Sequence, residues 1–110
     1  MSNFIVEIDP RTKSIKKVEF NDDVVRLSDM YSTLECDMVE RISLNRNTDL
    51  WIDEEGMLNN AEGRIGFFTL GNDYQLVGKG MICGVTTDGE SVPFDEEKAD
   101  FIVNELAIQF

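Results

Sequence analysis

The chain has 110 residues, with 22 acidic side chains against 10 basic ones, a formal net charge of −12 and no histidine. Its length supports one hydrophobic core and a single domain over residues 1–110, and 42% hydrophobic residues with seven Phe and two Pro describe a globular chain rather than a disordered one. The absence of histidine removes every mechanism that uses imidazole as base, proton shuttle or metal ligand, and the acidic balance opposes binding to nucleic-acid backbones and to anionic membrane surfaces.

In chain order, Asn3 to Asp9 is rich in β-branched and aromatic residues and stops at Asp9-Pro10. Ser14 to Phe20 follows after the turn-like Pro10-Arg11-Thr12-Lys13, so the two segments are expected to form an opening β-hairpin. An amphipathic helix of about three turns is expected next, capped by Asn21 or Asp22. Its buried stripe reads Val24, Leu27, Tyr31 and Leu34, at helical spacing.

Met38 to Leu44 alternates as a strand does, and Leu50, Trp51 and Ile52 start another. The acidic turn Asp53-Glu54-Glu55-Gly56 would bring Met57 and Leu58 back as the second half of a hairpin. Its three adjacent acids lack the alternating twelve-residue pattern of a calcium loop and read as a solvated turn. The spacing then allows a short third helix, capped by Asn60 and running from Ala61 to Phe68, weakened by Gly63 and Gly66.

Tyr74 to Val85 is the longest strand expected, with a turn at Thr86 to Glu90 and a short return over Ser91 to Phe94. Gly78, Gly80 and Gly84 share one parity within it and do not open a helix, which rules against a phosphate-binding loop. Such a bare strip lets aromatic rings or a helix pack closely, or lets the strand bend sharply. A C-terminal helix starts after Asp95 as cap, with Phe94 as a staple residue. Its buried stripe reads Phe101, Ile102 and Leu106, extending to Ile108, while Glu97, Asp100 and Asn104 look outward. The sum is an α+β fold. A largely antiparallel sheet of five to six strands carries the central and C-terminal helices on one face.

For chemistry, Cys36 and Cys83 have no CxxC spacing and no histidine to activate them, and their apolar settings favour buried, reduced thiols in a cytoplasmic protein. No pair of carboxylates stands out by spacing, and no HExxH, GxSxG or GxxxxGK[ST] pattern occurs. No catalytic residue, metal site or cofactor is therefore expected, and the chain reads as a non-enzyme. The N-terminus lacks a basic segment followed by an apolar run, and no stretch approaches the roughly 18 apolar residues of a membrane span.

The distribution of charge says more. Residues 1–50 carry a net charge of −3 and residues 51–110 a net of −9. Asp88 to Glu105 holds seven acids against Lys98 alone. Glu90, Glu96, Glu97 and Asp100 are the residues expected to meet a partner, a host protein with a basic surface. The alternative is a pocket for a small ligand or nucleotide, walled by Trp51, Arg64 and Lys79 beside the glycine strand.

The segments Leu50-Trp51-Ile52-Asp53-Glu54-Glu55-Gly56-Met57-Leu58-Asn59 and Leu76-Val77-Gly78-Lys79-Gly80-Met81-Ile82-Cys83-Gly84 resemble a family of small proteins. It is the domain-of-unknown-function family three-eight-four-six, common in phage and mobile-element genomes. The helix before Tyr31 and the closing Asp88-Gly89-Glu90 fit its layout as well. The resemblance implies a shared fold and a phage or mobile-element origin. It implies no reaction, cofactor or catalytic residue. With the acidic C-terminal half, it points to an accessory protein that modulates a host enzyme of defence or nucleic-acid processing.

Overall fold

The structure, a computed structural model, describes residues 3–56, 66–71 and 74–110. Strands β1 (Asn3–Asp9) and β2 (Ser14–Phe20) form the expected hairpin, in register from Asn3 opposite Phe20 to Asp9 opposite Ser14. Strands β3 (Val39–Asn45) and β4 (Thr48–Asp53) form a second hairpin around the two-residue turn Arg46-Asn47. The hairpin closes there and not at the acidic turn Asp53 to Gly56, where one is expected from sequence. Both edges of β4 are occupied, by β3 and by a strand from the second half of the chain, so no return strand can pair with Leu50 to Ile52. Met57 and Leu58 lie outside the described residues.

The segment expected to be one long strand is two. Strand β6 (Tyr74–Val77) pairs with β5 (Phe67–Leu70), while β7 (Gly80–Val85) enters the main sheet. The break falls at Gly78, whose φ of +94° lies in the left-handed region that a side chain disfavours. Phe68 thus belongs to a strand and not to the short helix considered for that region, whose first residues lie outside the described part.

The main sheet runs β2-β1-β7-β4-β3, and every pairing in it is antiparallel. Strand β8 (Ser91–Val92) continues the β1 side of β7, since Gly84 pairs with Thr48 on one edge and with Val92 on the other. Strand β7 is central and buried on both faces, which explains its unbroken apolar run Met81-Ile82-Cys83. The smaller sheet runs β6-β5-β9, closed by β9 (Ile108–Gln109). The fold is α+β with two helices, α1 (Leu27–Leu34) and α2 (Glu96–Glu105), among the described residues. Neither is long and apolar enough to cross a membrane.

The helices lie on opposite faces of the main sheet, and not on one face as expected. On the α2 face, Phe4, Val6, Ile8, Leu50 and Ile82 meet Ala99 and Ile102 of α2 together with Phe68 and Leu76 of the smaller sheet. This one cluster joins both sheets. Gly80 is what lets them approach: a Cβ there would stand 3.0 Å from the Phe68 ring and 3.2 Å from Leu50. At Gly84 the nearest atoms to a Cβ would be those of Val92, at 3.3 Å, with the Phe94 ring at 3.5 Å. The glycine strip thus accommodates an aromatic ring at Gly80, a neighbouring strand at Gly84 and a bend at Gly78. On the other face, Ile5, Met81 and Cys83 meet Val25, Met30 and Leu34.

Helix α1 is two turns long, not three, and begins at Leu27. The Val25 amide donates to Ser91 O, and the Val25 side chain is buried, which holds the chain extended where a helical turn was expected. The N-cap position is Arg26 rather than Asn21 or Asp22, and its amide donates to the carboxylate of Asp29, three residues on, at 2.8 Å. The buried stripe is Met30 and Leu34; Leu27, at the overhanging first position, is 53% exposed.

Candidate functional site

Helix α2 starts as the sequence requires. Asp95 accepts from the Lys98 amide at 2.8 Å, and Glu96 and Glu97 lie at the positive end of the helix dipole. From there the acids divide into two stripes. Glu96 and Asp100, four residues apart, both reach Lys17 of β2, each at 2.8 Å from Nζ. The hydrogen bonds that Lys17 donates to Asp100 and Glu96 raise its pKa, so this cation stays charged and engaged. Its ammonium also stands 5.3 Å from the centre of the Phe4 ring.

Glu97, Phe101 and Glu105 form the second stripe, at i, i+4 and i+8. Glu97 and Glu105 make no ion pair among the described residues, and both are exposed. Phe101 between them is 59% exposed, although it was expected in the buried stripe. The buried positions are Ala99 and Ile102, with Val103 and Leu106 packed against them. At 3.6 residues per turn Phe101 stands about 200° round the helix from Ala99, which puts it on the outside. That angle was the signal available in the sequence, obscured by the apolar pair Phe101-Ile102.

Beside this stripe lies a cleft of about 350 Å³ between α2, the β3–β4 hairpin and the smaller sheet. Leu44, Leu70, Ile102 and Leu106 give it an apolar lining, with Phe101 at its side and Thr48 from β4. Lys98, which also borders it, holds its ammonium over the Phe101 ring at 5.6 Å from the centroid. Glu105 completes the border.

The four acids expected to meet a partner are therefore not one patch. Glu96 and Asp100 are tied to Lys17, and Glu97 is free on the outer stripe. Glu90 lies on the turn between β7 and β8, where its carbonyl accepts from the Thr86 amide and its own amide donates to Thr86 Oγ1. Its charge acts on Arg26 near the start of α1. Glu105 and Phe101 are the residues of this edge that the sequence reading did not select.

Of the three residues expected to wall a ligand pocket, Trp51 and Lys79 are on or next to the α1 face, and Arg64 lies outside the described residues. Lys79 is only 9% exposed and stands 3.3 Å from Glu7 and 3.6 Å from Glu35. Glu35 closes α1 in a left-handed conformation and also takes Arg11 at 2.9 Å. Arg11 in turn bonds Asp9. Burial raises the Asp9 pKa, but the side-chain and backbone bonds from Arg11 outweigh it and hold the carboxyl below its ordinary value. Trp51 packs in the second core cluster, its indole N–H buried with no hydrogen-bond partner among the described residues.

Both cysteines are free thiols. Burial pushes Cys83 up to about 12 and Cys36 up to about 11, with nearby carboxylates adding to both, so neither supplies a thiolate at neutral pH. Asp49, 2% exposed, has one carboxylate oxygen without a hydrogen bond; the Arg41 guanidinium approaches only to 4.0 Å. Burial raises its pKa against that charge. No group of three or more cysteine or carboxylate side chains able to hold a metal occurs among the described residues.

No curated protein and no solved structure matches the chain. The model of the family described as Domain of unknown function (DUF3846) matches residues 1–107, and the chain belongs to that family.

Proposed function

We propose that this protein is a non-enzymatic accessory protein of phage or mobile-element type that docks through the outer side of α2 on a basic surface of a host protein, modulating an enzyme of defence or nucleic-acid processing. The observation that carries the reading is the Glu97-Phe101-Glu105 stripe, whose two carboxylates make no ion pair among the described residues. Its neighbours Glu96 and Asp100 share Lys17, whereas Lys98 beside this stripe holds its ammonium over the Phe101 ring. An exposed aromatic between two free carboxylates offers both elements of an interface, apolar anchorage and long-range steering. The protonated thiols are in keeping with a binding role, because nothing at either cysteine activates a nucleophile.

Affinity capture from host lysate tests this, with the wild-type chain and a Glu97→Lys/Glu105→Lys variant at low and high salt. A basic protein held at low salt, released at high salt and lost in the variant supports the reading. Equal capture by the variant, with its fold intact by circular dichroism, overturns it. Reversal of Glu96 and Asp100 should weaken capture less, since their field is already offset by Lys17.

A further inference from the structure

We infer that the cleft beside α2 receives one apolar side chain, Leu-sized or aromatic, from a basic segment of the partner, with Phe101 as the wall against which it packs; this rests on the docking role proposed for α2. The cleft, about 350 Å³, falls just inside the size range of small-ligand pockets, about 300–1,000 Å³, and so has room for a large apolar side chain. Its lining from Leu44, Leu70, Ile102 and Leu106 is apolar, so it rewards a hydrophobic group and leaves a charged one unpaired.

The charges around it specify what carries that group. Glu97 and Glu105 flank Phe101 one turn to either side and make no ion pair among the described residues, whereas Lys98, at the border of the cleft, is held over the Phe101 ring. A partner residue entering the cleft would bring its neighbours over these two carboxylates. Lys or Arg one helical turn or a few extended residues from the anchor is what that spacing suits. A buried anchor ringed by polar contacts is also how interfaces concentrate their energy.

Methyl-labelled full-length protein titrated with three synthetic dodecapeptides tests the inference by NMR. The first carries a central Leu among six Lys and Arg, the second replaces that Leu by Ala, and the third replaces the basic residues by Gln. The inference expects the first to shift the methyl signals of Leu44, Leu70, Ile102 and Leu106 and to bind at least tenfold more tightly than either control. Phe101→Ala should lose about tenfold of that affinity, whereas Leu27→Ala, an exposed apolar residue on α1, should lose none. Equal binding of the Ala peptide overturns the anchor while leaving the charge-based docking intact. Equal binding of the Gln peptide overturns it in favour of a cleft for neutral apolar ligands. No shift from any peptide at millimolar concentration removes the anchor and the docking role together.

Discussion

The two faces of the central sheet use charge in opposite ways. Toward the C-terminus of α1, cations and acids are matched with one another: Lys79 with Glu7 and Glu35, Arg11 with Glu35 and Asp9. On the α2 side, two acids are matched with Lys17 and the remainder of the helix turns Glu97, Phe101 and Glu105 to solvent beside an open apolar cleft. The difference separates groups that hold the fold from groups left over for something else. Matched charges that are partly buried fix how α1 meets the sheet, because removing either partner strands the other. Unmatched exposed charges contribute little to stability and act mainly at a distance.

Four substitutions break or sharpen that contrast. The largest effect should come from Phe68→Ala on the α2 side, because Phe68 is fully buried where the two sheets meet above Gly80. A loss of about 3–5 kcal/mol in urea unfolding is expected. If the loss is under 1 kcal/mol, the smaller sheet is not part of the cooperative core. On the α1 side, Lys79→Met should cost about 2 kcal/mol, since it keeps the packing but leaves Glu7 without its cation, while Glu35, half-exposed, retains Arg11 and keeps the effect below that of a fully buried pair. An unchanged melting curve would show the network to be ornamental.

Asp49→Asn should act in the opposite direction, stabilising the protein at pH 7 by about 1 kcal/mol, because the neutral side chain is cheaper to bury. The raised folded-state pKa means that the native chain holds this proton more tightly than the unfolded one. The penalty of ionised Asp49 is therefore complete above the folded pKa and is relieved as pH falls toward the unfolded value near 3.9. The stability gap between the Asn variant and wild type should shrink over that interval, measured by denaturant unfolding at a series of pH values. Asp9 works in reverse and lower down, its contribution disappearing as pH falls from the unfolded value through its depressed folded pKa. The smallest effect belongs to Phe101→Ser, expected within about 0.5 kcal/mol of wild type. A larger loss would mean that Phe101 is structural and that the outer stripe of α2 is no free surface.

Legibility from sequence followed the range of the interactions involved. The β1–β2 hairpin and the Asp95 cap depend on residues a few positions apart, and both stand where the local pattern puts them. The glycine strip is legible in the same way at Gly80, where a ring packs, and at Gly78, where the strand breaks, since a missing Cβ has the same meaning wherever its neighbour comes from. What the ring at Gly80 would be, Phe68, depended on a sheet whose pairings no local pattern specifies. The start of α1 was misplaced because the Val25 amide is claimed by Ser91, 66 positions along the chain. The acids of α2 looked alike in sequence; only Lys17, arriving from β2, sorts them into engaged and free.

The position of β7 has a consequence for how the chain reaches this state. Both halves of the main sheet are local hairpins, β1–β2 and β3–β4, and the sheet's hydrogen bonding joins them through a strand that begins at Gly80. During synthesis the inner edges of β1 and β4 are complete long before their shared neighbour emerges. Until then each exposes unpaired amides and carbonyls alongside apolar side chains, the combination that invites pairing with other chains. Closing the sheet joins segments more than 70 residues apart, as when Val6 pairs with Ile82, and such distant closure is slow. Insertion of β7 is accordingly the step expected to commit the protein to its fold, with the charges of the early hairpins expected to keep the waiting chain apart from its neighbours.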